Sequence, residues 1–328
     1  MIWQVLNFLI VSLLITGIVA VGLILSQPPG KLPPGDGLDF AGILQGQGAA
    51  ARDLETHRMR DGYDLQLRRY PGPGPEVPLV ILLHGSGWHG LQFDTLATAL
   101  SAEAEILVPD LRGHGTAPGR RGDVDYIGQL EDDIADLIAA EAGAEPGRKI
   151  VLGGHSSGGG LVLRMAGGPH GNLLDAAILL APFMGHNAPT TRRNSGGWAQ
   201  PLVRRLIGLS MLNAVGIRAL NHLTVIQFRM PASVLNGPLG DTATTAYSYR
   251  LNTSYAPRRR FREDAAALPP FILIAGAADE AFDAAAYEPT LSEVTGRGDY
   301  HLVPEVGHLD IVNAPQTRRI LKEFLHDL

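Results

Sequence analysis

The sequence predicts an α/β fold: a mainly parallel sheet with helices on both faces. Three observations carry this. Short, continuous apolar runs alternate with segments of helical periodicity along most of the chain. Those runs show no polar alternation, as expected of strands buried on both faces. Ser86, Ser156, Asp279 and His308 all fall just after such runs. The carboxyl ends of strands are where open parallel sheets carry their chemistry.

Composition sets the outer limits. The chain has 328 residues, 45% of them hydrophobic. That suffices for one large domain with an insertion, or for two domains. The 40 Gly and 23 Pro are spread through turns, which does not indicate disorder. Cysteine is absent, which removes disulfides, thiolate metal sites and a cysteine nucleophile. A net charge of −6 argues against nucleic acid as a partner. No cluster of His and carboxylates has metal spacing and no Gly-rich turn suits a dinucleotide, so neither metal nor cofactor is expected.

In chain order, Ile2 to Ser26 comes first: 25 residues rich in Leu, Ile and Val without one charge. As a helix this stretch can cross a bilayer. A cleaved signal peptide needs a basic start, a shorter core and a small-x-small site, and these are missing. A retained transmembrane anchor over residues 1–27 is therefore expected, with membrane contact through residues 2–26. The first basic residues, Lys31, Arg52, Arg58 and Arg60, follow the span, which leans toward a cytoplasmic body but leaves the side open. Residues 28–50, with Pro28-Pro29-Gly30 and Pro33-Pro34-Gly35, read as a semi-extended spacer.

The body is expected over residues 51–328. Glu55 to Met59 and Tyr63 to Tyr70 alternate around Asp61-Gly62, a hairpin signal. Leu79 to Leu83, Glu105 to Pro109, Lys149 to Gly153, Ala176 to Ala181, Phe271 to Ala275 and His301 to Val303 read as strands. Phe93 to Leu100, Tyr126 to Ala140, Gly159 to Met165 and Ile311 to Leu325 read as helices. In the second of these, Ile127, Leu130, Ile134, Leu137 and Ile138 share one face.

Gly154-His155-Ser156-Ser157-Gly158 lies between a strand and a helix. This G-x-S-x-G context describes a strained turn that lifts one serine clear of the sheet. The residues two before and two after that serine must be small. Gly154 and Gly158 satisfy this for Ser156, whereas His155 fails it for Ser157. A serine hydroxyl also needs a base within hydrogen-bond reach, and the base needs an orienting acid.

The order Ser156, Asp279, His308, with His84-Gly85-Ser86-Gly87 and Asp110-Leu111-Arg112-Gly113-His114-Gly115, resembles the α/β-hydrolases. Within them, the chain is similar to the monoacylglycerol lipase and lysophospholipase group, related to serine aminopeptidase-type hydrolases. The resemblance covers about residues 51–182 and 269–328. It implies Ser156 as nucleophile, His308 as base and Asp279 as acid. It implies an oxyanion hole from the Ser157 amide and the Ser86 amide. Glu280 and Asp283 are rival acids. His84, Arg112 and His114 read as braces of turns, and His301 as structural.

Residues 183–268 fall where this fold carries its lid. They hold eleven Arg against Asp241, Glu263 and Asp264. The arginines are either a solvated lid surface or a surface for anionic lipid headgroups. The resemblance thus implies a carboxylic ester hydrolase acting on a small-molecule, lipid-like ester, and the apolar N-terminal stretch adds the expectation that it is membrane-anchored. A peptidase, amidase or thioesterase on the same residues, and a non-catalytic binding protein, are the alternatives.

Overall fold

The computed structural model describes residues 1–35, 37–46, 53–145 and 147–328. The expected junction between spacer and body, at 50–51, lies outside the described residues.

Eleven strands occur among the described residues: β1 (Glu55–Arg58), β2 (Asp64–Tyr70), β3 (Leu79–Leu83), β4 (Glu105–Pro109), β5 (Ile150–His155), β6 (Ala176–Leu180), β7 (Ala199–Pro201), β8 (Thr224–Phe228), β9 (Ala246–Ser248), β10 (Phe271–Gly276) and β11 (Gly298–Val303). Eight build the central sheet, in the order β1-β2-β4-β3-β5-β6-β10-β11. β1 and β2 run antiparallel, as does β2 against β4; the other pairings are parallel. Every residue of β3, β5, β6 and β10 is buried. Both faces of these strands are therefore covered, which is what their unbroken apolar runs require.

Eleven helices accompany them: α1 (Ile2–Leu25), α2 (Ala41–Gly46), α3 (Asp94–Leu100), α4 (Gln129–Ala144), α5 (Ser157–Ala166), α6 (Val203–Ala214), α7 (Ala232–Leu235), α8 (Tyr249–Tyr255), α9 (Phe261–Ala266), α10 (Tyr287–Ser292) and α11 (Pro315–His326). Register then places the chemistry. Leu83 pairs with Gly154, so the loops after β3 and β5 leave the sheet side by side. Gly276 pairs with Val303, which does the same for the loops after β10 and β11.

The insertion holds the helices α6 to α9. It carries a second antiparallel sheet, β7-β8-β9. These strands have three to five residues, too few to show a period in sequence. Four of its eleven arginines pair with carboxylates. Arg250 meets Asp123 at 2.5 Å, Arg258 meets Glu131 at 2.7 Å and Asp264 at 2.9 Å, and Arg262 meets Glu293 at 2.5 Å. Arg260 pairs with Glu263 at 3.0 Å. Three of these, Arg250, Arg258 and Arg262, tie the insertion to the body through Asp123, Glu131 and Glu293, which are distant in sequence.

The N-terminal region also departs from expectation. Most of α1 is an exposed apolar surface, long enough to cross a membrane. Its last turns dock on α6, where Ala20 and Ile24 pack with Leu209 and Leu212. A Cβ on Gly208 would stand 2.5 Å from the Ala20 carbonyl oxygen, so glycine permits this approach. The chain beyond α1 is not a free spacer. Gly30 and Gln227 exchange two hydrogen bonds, of 3.2 and 2.6 Å. Leu38, Phe40 and Ile43 are buried in the main core. Their apolar side chains, sparse among prolines and glycines, found a dry site that composition alone concealed.

The arginine pairs allow a test. Arg258→Ala leaves Glu131 and Asp264, both nearly inaccessible, short of a partner. The expected loss is about 3 kcal/mol of unfolding free energy by urea titration, against almost none for exposed Arg259→Ala.

Candidate active site

The site starts from a backbone constraint. Ser156 has φ 55°, a positive value that costs a residue with a Cβ. A Cβ on Gly154 would lie 2.3 Å from the Gly158 carbonyl carbon. One on Gly158 would lie 2.0 Å from the Leu83 carbonyl oxygen. Both places exclude any side chain, and the turn between them points Ser156 away from the sheet.

Ser156 Oγ lies 3.0 Å from His308 Nε2. His308 Nδ1 donates to Asp279 Oδ2 at 2.8 Å. The other Asp279 oxygen accepts from the amides of Ala281 and Phe282, at 2.8 and 2.7 Å. Burial pushes the Asp279 carboxyl up, but His308 and the two amides outweigh it and hold the group below its ordinary range. Of the rival acids, Glu280 accepts from the His308 backbone amide at 2.9 Å rather than from the ring. Asp283 is exposed and has no bond to His308. His301 lies in β11 and pairs with Asp299 at 3.0 Å.

Ser86 and Ser157 face one another, with their hydroxyls 2.5 Å apart. Ser157 opens α5, where the first amides have no partner within the helix. The loop bearing Ser86 is fixed on both sides. Gly85 N donates to Gln92 Oε1 at 3.1 Å, and Gly87 N donates to the Tyr247 hydroxyl at 2.7 Å. Behind it, His84 Nδ1 donates to Gly85 O, and His84 Nε2 accepts from Leu111 N. Tyr255 donates to the His84 carbonyl. His114 Nε2 accepts from Tyr247 at 2.7 Å. Arg112 is clamped by Asp133 and Asp61. Such a constellation can activate a hydroxyl and gather amides around a developing negative oxygen.

A cavity of about 10 Å³ adjoins Ser156 and His308, room for barely one water. Ser86, Trp88, Trp198 and Leu309 line it, together with Leu38, Phe40 and Ile43.

Several members of this site carry no signal of their own in sequence. His155 is buried, donates from Nε2 to the His308 carbonyl at 2.9 Å, and packs against the His308 ring at a tilt of 42°, with centroids 4.7 Å apart. Tyr247, Tyr255 and Trp198 come from the insertion, and Phe40 from the stretch read as a spacer. Only chain topology brings them here.

Comparison with known proteins follows the geometry. The sequence model of the family described as serine aminopeptidase, S33, matches residues 74–313. The monoglyceride lipase homolog of monkeypox virus is 30% identical over 111 residues, 34% of this chain and 40% of that protein. The first three curated relatives are matched over only 40%, 25% and 32% of their lengths. Among solved structures, a soluble variant of Saccharomyces cerevisiae monoglyceride lipase has a TM-score of 0.62 at 19% identity. That match covers 84% of this chain and 95% of the other. A bacterial membrane phospholipase A has a TM-score of 0.55 at 16% identity, with 100% and 99% coverage. These likenesses show a common fold.

The buried histidines make stability sensitive to acid. Burial lowers His84 and His89 to about 4 and His155 to about 3, from an ordinary 6.5. They stay neutral in the folded chain while the unfolded chain takes up protons. Above pH 6.5 the rings are neutral in both states and do not affect stability, which falls as pH drops below that value. Each contributes a slope of about 1.4 kcal/mol per pH unit. Urea titrations between about pH 6 and 4 should show His155→Gln flattening that slope by one proton.

Proposed function

We propose a function on the premise that this chain belongs to the serine aminopeptidase S33 family. It is a serine hydrolase that cleaves carboxylic esters, and its substrates are lipid-like. The observation that carries the reading is the line from Ser156 Oγ through His308 to Asp279, at 3.0 and 2.8 Å.

In the reaction, Ser156 Oγ attacks the ester carbonyl while His308 Nε2 takes its proton. Asp279 holds the imidazole and offsets the charge it gains. The Ser157 and Ser86 amides stabilise the oxyanion, at about 3–4 kcal/mol for each donor in related sites. The alkoxide leaves with the proton from His308, and the acyl group stays on Ser156. A water attacks next, giving its proton to His308. The acid departs, and the proton returns to Ser156.

The lipid part has separate support. The matched viral and yeast proteins are named for monoglyceride lipase, and the matched bacterial one for phospholipase A at a membrane. The last is matched along the whole chain, α1 included. With its length and lack of charge, α1 crosses the bilayer as an anchor, with residues 183–268 forming a lid over the body that follows.

Ester cleavage is testable residue by residue. Ser156→Ala should lower kcat by about 10⁶, whereas Ser157→Ala, which keeps its amide, should retain substantial activity. Asp279→Asn should cost about 10⁴ and exposed Asp283→Asn little. A fluorophosphonate loses fluoride to the attacking serine, so peptide mass of the labelled chain identifies that residue. Labelling at Ser157, or none, would sink the assignment. An amide substrate series run beside the esters tests the peptidase reading that the family description raises.

A further inference from the structure

We propose that the slot between Trp88 and Trp198 is the subsite for the acyl chain, and that Phe40 fills it in the resting protein. The proposal rests on the hydrolase reading above and adds what the substrate must displace. The Phe40 ring lies 6.0 Å from Trp88, edge-on, and 5.6 Å from Trp198. Both tryptophans line the same cavity as Ser156 and His308. Leu38, Ile43 and Leu309 complete an apolar wall. An ester whose carbonyl sits at Ser156 has its acyl carbons in this slot. About 10 Å³ admits none of them.

The occupant is held in a way that suits exchange. Beyond the bonds within α2, the hydrogen bonds of 37–44 among the described residues are local: Ala41 N to Asp39 Oδ1 and Leu44 N to Phe40 O. Among the described residues, none joins them to the body. α2 has six residues, far below the length at which a helix persists alone. The segment stays by apolar burial, which is non-directional, so an aliphatic chain of similar area can replace it. An acetyl group cannot, because it buries too little. The stretch before the segment is fixed: Gly30 is bonded to Gln227, and Gly35 abuts Arg229. Movement is therefore confined to the part that carries Leu38, Phe40 and Ile43. The slot selects medium or long acyl chains, and the protein's own Phe40 is the competitor.

The test uses the full chain in detergent, with p-nitrophenyl octanoate and acetate. Phe40→Ala should raise the octanoate-to-acetate ratio of kcat/KM at least tenfold, and Trp88→Ala should lower it. A Cβ at position 42 lies 2.7 Å from Asp310 Oδ1, and the chain has no cysteine. Gly42→Cys with Asp310→Cys should therefore lock the segment when oxidised. Octanoate turnover should then fall at least tenfold and recover with reductant. If Phe40→Ala lowers the ratio, Phe40 is a wall and not an occupant. An oxidised pair with undiminished octanoate turnover also overturns the proposal, and it decides the matter if Phe40→Ala fails to fold. If the wild-type chain hydrolyses neither ester and Ser156 takes no fluorophosphonate, the hydrolase reading falls instead.

Discussion

No side chain fits at Gly158, the second residue of α5, and the rest of the site depends on that exclusion. Gly158 lies so close to the Leu83 carbonyl that a Cβ there would stand 2.0 Å away. The start of α5 is thereby pressed onto the end of β3. Ser156 is driven to positive φ, a strain of about 1–3 kcal/mol. The buried strands on either side offset it. The same closeness brings Ser157 against Ser86, so two chain segments 71 residues apart meet there. Loosening the contact would misplace the Ser156 hydroxyl and the loop bearing Ser86 at once.

Around this contact lies a second layer of buried polar groups. His84, His114, Tyr247 and Tyr255 join the loop after β3, the 110–115 turn and the insertion. Burial keeps both histidines neutral, His84 at about 4 and His114 well below its ordinary value. A neutral ring donates from one nitrogen and accepts at the other, so it can bridge two segments where an imidazolium could only donate. Arg250 and Arg258 do comparable work between the insertion and the body. The insertion is therefore part of the scaffold that holds the loop after β3.

The N-terminal region joins both. α1 rests on α6 through Gly208, and the chain then follows β8 before Phe40 enters the cavity at Ser156. One continuous stretch thus runs from an apolar helix of membrane length to the reacting atoms. Its contacts change in kind along the way. Backbone packing and paired amides hold the first part, and apolar burial alone holds the last. The least directional attachment is the one nearest the chemistry.

The sheet and the elbow were legible because their determinants are local. Unbroken apolar runs dictate buried strands, and two glycines around one serine dictate the turn. The boundaries moved by only a few residues: β5 extends to His155, and β11 begins at Gly298. The separation of Asp279 from Asp283 was an expectation from position on the strand, and the exposure of Asp283 is a tertiary matter. Three things were illegible. The strands β7, β8 and β9 are too short to show a period. The insertion's arginines looked free because their carboxylates lie up to 127 residues away. Phe40 looked like part of a linker because its Pro- and Gly-rich surroundings set the local statistics. Sequence by itself determined what each segment does with its own backbone. Only the tertiary structure decided which distant side chains meet, because burial and charge pairing act through space and leave no period or spacing along the chain.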